Sequence, residues 1–262
     1  MKLLKLFFVA LGCVLFASCL EINEEVEIKQ NGSGQLSTTM DMGQLVDMMQ
    51  AMGGEEFEKK KGEKLDSVIY LKDIVDTSKN LTADQKRLMR DGTVRVQMDM
   101  AEKLFKLNMQ YPFTSLETLQ KLHTAVGDGG FGFGSIMKDA MGGKDKGDES
   151  GGLDAPVNSE TSEMDQLMGI FDYNISNGLI KKTVNPEKLK ALMNNPKMAE
   201  MQQGAEMGIE VMYKVSYKLP RPVKRVDNPK AKISDDKKTV TLRGNLMEIF
   251  TKPEQFAFTI EY

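Results

Sequence analysis

The chain has 262 residues, with 35 Lys and Arg against 38 Asp and Glu, a net charge of −3, two Cys, one His, twenty Met and no Trp. That length holds one large domain or two small ones. Mild acidity with no concentrated basic stripe argues against nucleic acid as a partner, and one His with two Cys leaves zinc sites and His-based triads without their usual residues.

The first eighteen residues form a leader. Lys2 and Lys5 give a basic start, and Leu6 to Ala17 is almost wholly apolar and ends in small residues, the layout of an export signal. The apolar run is about a dozen residues, short of the roughly 20 that cross a bilayer as a helix. Phe16-Ala17-Ser18-Cys19 resembles the bacterial lipobox, with Ala17, Ser18 and Cys19 matching and Phe16 in place of the usual Leu. Ala10-Leu11-Gly12-Cys13 is a rival box, but it leaves only a few greasy residues ahead of it. The resemblance implies cleavage before Cys19, a diacylglyceryl group on its sulfur, and palmitate among the acyl chains of the anchor. A thiolate is the nucleophile such chemistry needs, and more than one acyl chain is required for lasting attachment. The mature chain is then 244 residues with 33 Lys and Arg, a net charge of −5 and no free thiol.

The body begins at once. Ile22, Val26 and Ile28 share one parity, Asn31-Gly32-Ser33-Gly34 breaks the run, and Leu36, Met40 and Met42 resume it, which predicts a β-hairpin. Leu45, Met48, Met49 and Met52 follow helical spacing. Lys59-Lys60-Lys61 sits among Glu55, Glu56, Glu58 and Glu63 and reads as a solvated, charge-mixed segment. Thr82 to Gln85 fits a capping box ahead of a helix. Val94 to Met100 and Phe105 to Phe113 alternate as a second hairpin with one face on a core. Thr114 to Glu117 fits another capping box, with Leu119, Leu122 and Val126 on the helix face that follows.

Residues 127–162 hold ten of the 23 glycines among Asp, Ser, Lys and Glu, a composition that predicts a flexible Gly-rich insertion. Beyond it, Phe171 to Ile175 and Leu179 to Val184 flank Asn177-Gly178, a hairpin signal. Asn185-Pro186 opens a helix running to about Glu206. Ile209 to Leu219 is the longest alternating run, and short strands are expected around Val226, Ile233 and Val240 to Leu242, with a turn at Asp235 to Lys238. Phe256, Phe258, Ile260 and Tyr262 predict a last strand. The opening hairpin, together with Tyr217-Lys218-Leu219-Pro220 through Leu242, resembles LppM-type lipoprotein domains. That resemblance implies an antiparallel sheet packed on helices and no enzymatic role to carry over.

These signals predict an α+β fold, an antiparallel sheet with helices on one face. Its parts are a signal peptide at 1–18, an N-terminal half at 19–126, the insertion at 127–162, and a C-terminal half, or second small domain, at 163–262. His123 lies seven residues after Leu116 and four after Leu119, on the flank of the apolar face, and reads as a packed or half-exposed border residue rather than a catalyst. Gly127 to Gly132 satisfies G-x-G-x-x-G but follows a helix rather than a strand, so it predicts no nucleotide site. Met40-x-Met42, Met48-Met49-x-x-Met52, Met98-x-Met100 and Met198-x-x-Met201 have the spacing of copper(I) ligands. Most of them stay in phase with Val or Leu, which assigns them to the core.

The sequence therefore names one site, lipidation at Cys19, and no catalytic, metal or cofactor residues. The expected function is a non-catalytic binding or structural module of the cell envelope, lipid-anchored at the outer membrane, with an apolar ligand or a protein as partner besides the membrane. Glu21, Glu24 and Glu25 partly resemble the surface-export signals that follow the cysteine in some lipoproteins. A methionine-based copper(I) carrier and a carboxylate-dependent hydrolase are the alternatives.

Overall fold

The structure, a computed structural model, describes residues 19–44, 46, 62, 64–76, 81–127, 163–196, 198 and 210–262. The leader, the helix expected around Met48, the Gly-rich insertion, Phe131 and Phe133, the G-x-G-x-x-G run beyond Gly127 and the helical sequence after Met198 lie outside these residues.

Strands β1 (Cys19–Ile28) and β2 (Gly34–Asp41) form the first hairpin. Its turn closes through Lys29 N–H to Ser33 O at 2.8 Å, with Gly32 at φ +80°. Next come β3 (Lys64–Tyr70), α1 (Leu71–Val75), α2 (Ala83–Met89), β4 (Thr93–Asp99), β5 (Leu104–Phe113) and α3 (Leu116–Gly127). The C-terminal half supplies α4 (Glu163–Gly169), β6 (Phe171–Ser176), β7 (Leu179–Val184), α5 (Pro186–Met193) and β8 (Glu210–Lys218). After them run β9 (Arg225–Val226), β10 (Lys232–Ile233), β11 (Thr239–Asn245), two 3-10 turns (Leu246–Phe250 and Pro253–Phe256) and β12 (Phe258–Glu261).

The strands make two sheets. The larger has the order β10-β11-β8-β1-β2-β5-β4-β3, and the smaller β6-β7-β12-β9. All pairings are antiparallel except β1 with β8, which run parallel from Cys19↔Glu210 to Glu27↔Lys218. That pairing unites the segments before and after the Gly-rich stretch in one sheet. It departs from the wholly antiparallel expectation because β1 and β8 are distant in sequence, and a hairpin turn dictates direction only between strands it joins.

The inner face of the large sheet carries Ile22, Val26, Leu36, Met40, Val94, Leu107, Met109, Tyr213, Val215, Tyr217, Val240 and Leu242, all buried. Helix α3 covers part of this face with Leu119 and Leu122, and the small sheet covers another part. Phe258 meets Tyr217 edge-on at 5.5 Å. The α+β class stands, but helices alone do not provide the cover: the short strands β6, β7, β9 and β12 pair into a second layer. The buried apolar side chains of both sheets form one continuous core. The outer face of the large sheet is polar and tied by cross-strand ion pairs, Lys218 with Glu25 at 2.7 Å and Arg95 with Asp66 at 2.7 Å.

Local chemistry explains the element ends. Thr82 and Gln85 form the expected capping box on α2, and Asn185 Oδ1 accepts from Glu187 N–H and Lys188 N–H at 3.0 Å each at the start of α5. On α3 the cap is Ser115, whose Oγ accepts from Thr118 N–H at 3.1 Å, one residue later than the Thr114 box predicts. Strand β3 had no strong signal. It is an edge strand whose outward Val68 and Tyr70 stay exposed and blur the alternation. Met40, Met42, Met100 and Met198 are buried, as their phase with the apolar residues predicts. No described helix is long and apolar enough to cross a membrane.

Candidate functional site

Two places in the fold gather polar side chains. The first is sealed between the sheets. Glu24 lies on β1 in phase with Ile22 and Val26, so the two-residue period of the strand turns it inward, against Thr38 and Val215 in register. Lys182 lies on β7 between Ile180 and Val184 in the same phase and faces it from the small sheet. His123 comes down from α3, and Tyr173, Tyr213 and Tyr217 complete the group. Glu24, His123, Lys182 and Tyr217 are 7%, 8%, 1% and 0% exposed, so this cluster belongs to the interior. Of the packed and half-exposed placements that the helical spacing allows, His123 takes the packed one, because the small sheet covers that flank of α3.

The contacts in the cluster are incomplete. Glu24 Oε2 accepts from Tyr213 O–H at 3.2 Å, and His123 Nδ1 stands 4.0 Å from Glu24 Oε1. The imidazole stacks on Tyr173 with ring centroids 4.1 Å apart and an interplanar angle of 5°. Lys182 Nζ sits 4.1 Å from the centre of the Phe171 ring, 5.1 Å from Tyr213 and 5.6 Å from Tyr173, an aromatic cage of the kind that offsets a cation's lost hydration. Glu24 Oε1, His123 Nε2, Lys182 Nζ and Tyr217 O–H nevertheless have no hydrogen-bond partner among the described residues.

Burial governs the protonation of every member. It pushes the Glu24 carboxyl up, against the opposing pull of Lys182 and the Tyr213 hydrogen bond. It draws Lys182 down to about 8, with Glu24 opposing, and His123 down to about 3, with Lys182 adding to the effect. The three tyrosines are pushed well above their ordinary value by burial and then by the Glu24 charge. The imidazole is therefore neutral at physiological pH. Perturbed acid–base groups of this sort mark many active sites, yet these ones are enclosed by two sheets and a helix. In this conformation they act on the docking of the layers rather than on a diffusing substrate.

The second place is open. A cleft of about 610 Å³ lies between the β1–β2 turn, the start of α3, the β6–β7 turn and the Pro220-Arg221 segment. Arg221 Nη2 donates to Asn177 Oδ1 at 2.6 Å, and its guanidinium lies 5.3 Å from the Tyr262 ring. Gly178, at φ +90°, makes room here. A Cβ on it would stand 3.2 Å from Tyr262 O and 3.5 Å from Arg221 Nη2. A separate void beside Tyr213 and Phe256 holds about 10 Å³, the space of one water molecule, and is too small for a ligand.

Of the residues named from sequence, Cys19 occupies the first position of β1 and pairs through its backbone with Glu210. No group of three or more His, Cys, Asp or Glu gathers as a metal site among the described residues. Neither the cluster nor the cleft was identified from sequence. The available signal was a charge inside an apolar phase: Glu24 between Ile22 and Val26, and Lys182 between Ile180 and Val184. No family model matches the chain, and neither a curated protein nor a solved structure matches it.

Proposed function

We propose that this chain is a lipid-anchored protein of the cell envelope, held at the outer membrane through Cys19, and that it works as a non-catalytic binding module. The observation that carries the reading is the position of Cys19 at the head of β1, a central strand of the large sheet. Pairing begins at Cys19 itself, so an acyl group on its sulfur would join the folded body with no intervening linker. The cleft lies beyond Ile28, at the other end of the same strand. Ten residues of strand span about 33 Å, so an anchor at Cys19 leaves the cleft mouth facing away from lipid. Its volume falls within the roughly 300–1,000 Å³ of small-molecule sites.

Growing cells that express the full chain with radiolabelled palmitate tests the anchor. The expected outcome is label on the protein, lost in Cys19→Ser, with a mature N-terminus at residue 19 by mass spectrometry. An unlabelled protein, or one starting elsewhere, would overturn the reading. Separation of the two membranes by density tests the location, with the labelled protein expected in the outer membrane fraction.

A further inference from the structure

The chemistry of the cleft points further, and this step rests on the binding-module reading above. We infer that the cleft takes a small organic anion, a molecule bearing one carboxylate or phosphate group, with Lys29 and Arg221 as its charge partners. Among the described residues the lining includes these two cations and no Asp or Glu side chain, although the chain as a whole is acidic, and the main-chain oxygen of Tyr262 in the same lining already accepts from Lys224 Nζ.

Neighbouring cations are committed elsewhere. From Lys218 to Val226 there are four basic residues and no carboxylate. Lys218 pairs with Glu25 at 2.7 Å, Arg225 approaches Glu261 at 4.0 Å, and Lys224 Nζ donates to Tyr262 O at 3.3 Å. Arg221 differs from them. Its hydrogen-bond partner is the neutral amide of Asn177, so the guanidinium is oriented without being neutralised, and its remaining N–H groups suit a planar or tetrahedral oxyanion. Asn177 and the Tyr262 ring hold it in place, which lowers the entropy lost on binding.

Lys29 belongs to the same lining, at the first position of the β1–β2 turn, in a backbone locked by its own bonds to Ser33 and Gly32. The start of α3, with Ser115 capping it, adds the positive end of a twelve-residue helix to the same wall. Ile28 and Leu116 supply an apolar patch beside these charges. A ligand that matches this lining has one anionic group and a compact, partly apolar body.

Amide NMR spectra of the full processed chain in detergent micelles test the assignment. The charged probes are N-acetylglycylglycine, which carries a carboxylate, and glycerol 3-phosphate. Their neutral counterparts are N-acetylglycylglycinamide and glycerol. The expected result is a saturable shift of the Gly32, Asn177 and Gly178 amides with at least one charged probe and none with either neutral one; the stronger charged probe identifies the group the cleft prefers. Lys29→Gln combined with Arg221→Gln should weaken that binding about tenfold or more, since each charge-assisted contact of this type contributes on that scale. Lys252→Gln, on a separate segment, should leave it unchanged, and dispersion of the same spectra reports that the double variant is folded. Equal shifts with neutral probes, no saturable shift with either charged probe, or undiminished binding by the folded double variant would overturn the proposal. Palmitate labelling is independent of all these outcomes, so a failure here with the label intact removes the cleft chemistry and leaves the anchor standing.

Discussion

His123 illustrates how a single side chain takes its properties from the layer above it. The imidazole is stacked on Tyr173, 4.0 Å from Glu24 and under the influence of Lys182, and burial holds it down near 3. Its pKa in the unfolded chain is close to 6.5, so between these values the unfolded state binds more protons. Stability is then fully present above pH 6.5 and falls as the pH drops toward 3, by up to roughly 5 kcal/mol from this group. Glu24 works in the opposite sense in acid, because its raised pKa lets the native state take up a proton first. The difference between wild type and His123→Phe isolates the imidazole: urea unfolding should show a shallower loss of stability from pH 6.5 to pH 4 in the variant. Equal slopes would show that His123 is not buried as described. Lys182 admits a sharper test. Lys182→Met removes the cation and leaves the Glu24 carboxyl without its opposing charge, a loss of about 3 kcal/mol at pH 7, below the lysine's own titration. The loss should shrink as the pH falls, because burial raises the Glu24 pKa and lets the folded state neutralise the stranded carboxyl by taking up a proton. Because an apolar pair of similar volume needs no such compensation, Glu24→Leu with Lys182→Met should recover most of the stability and remove the part of its pH dependence that these two residues contribute, leaving that of His123. A double variant no better than the single one would refute the coupling of the two residues.

At the level of elements, glycine placement fixes the hairpin that carries Glu24. A Cβ on Gly34 would lie 1.8 Å from Glu27 O and 2.5 Å from the Phe113 ring, a collision with backbone that no rotamer relieves. Gly34→Ala should therefore lower the stability by about 3 kcal/mol or more in urea unfolding, whereas Gly62→Ala, where a Cβ meets nothing, should be close to neutral. Hairpins were the most legible part of this fold, because alternation and turn residues are both local. β1 with β2, β4 with β5 and β6 with β7 all sit where Asn31-Gly32, the Met100–Leu104 break and Asn177-Gly178 place them. Pairing between distant strands was not legible. Nothing local in Ile209 to Leu219 says that it lies parallel to β1, nor that β12 joins β7 to β9 in a second layer. The site was hidden for the same reason. Glu24 and Lys182 each break an apolar phase on their own strand, but only the docking of the two sheets shows that they answer one another.

For the whole molecule, the long axis of β1 relates two ends that the sequence presents as unconnected: Cys19 at its start and the turn that walls the cleft at its finish. The same end as Cys19 holds the close of β2 and the residues just after it, including the exposed Gln44, since Glu21 pairs with Asp41. The opposite end holds the exposed Gln30 beside the cleft. If lipid is attached at Cys19, these positions differ in height above the bilayer by most of a strand's length, about 30 Å. If the leader is lost with Cys13 and Cys19 is acylated, as proposed, a cysteine introduced elsewhere is the only free thiol for labelling. A fluorophore on Gln44→Cys in reconstituted vesicles should be quenched strongly by headgroup-brominated lipid, and one on Gln30→Cys weakly or not at all. The height difference falls as the cosine of the tilt from the membrane normal, so the contrast survives moderate tilt and vanishes only as the sheet approaches the membrane plane. Equal quenching at the two positions would mean that the molecule lies flat on the membrane. The cleft would then open sideways along the lipid surface, and a ligand would reach it from the plane of the headgroups rather than from the space beyond.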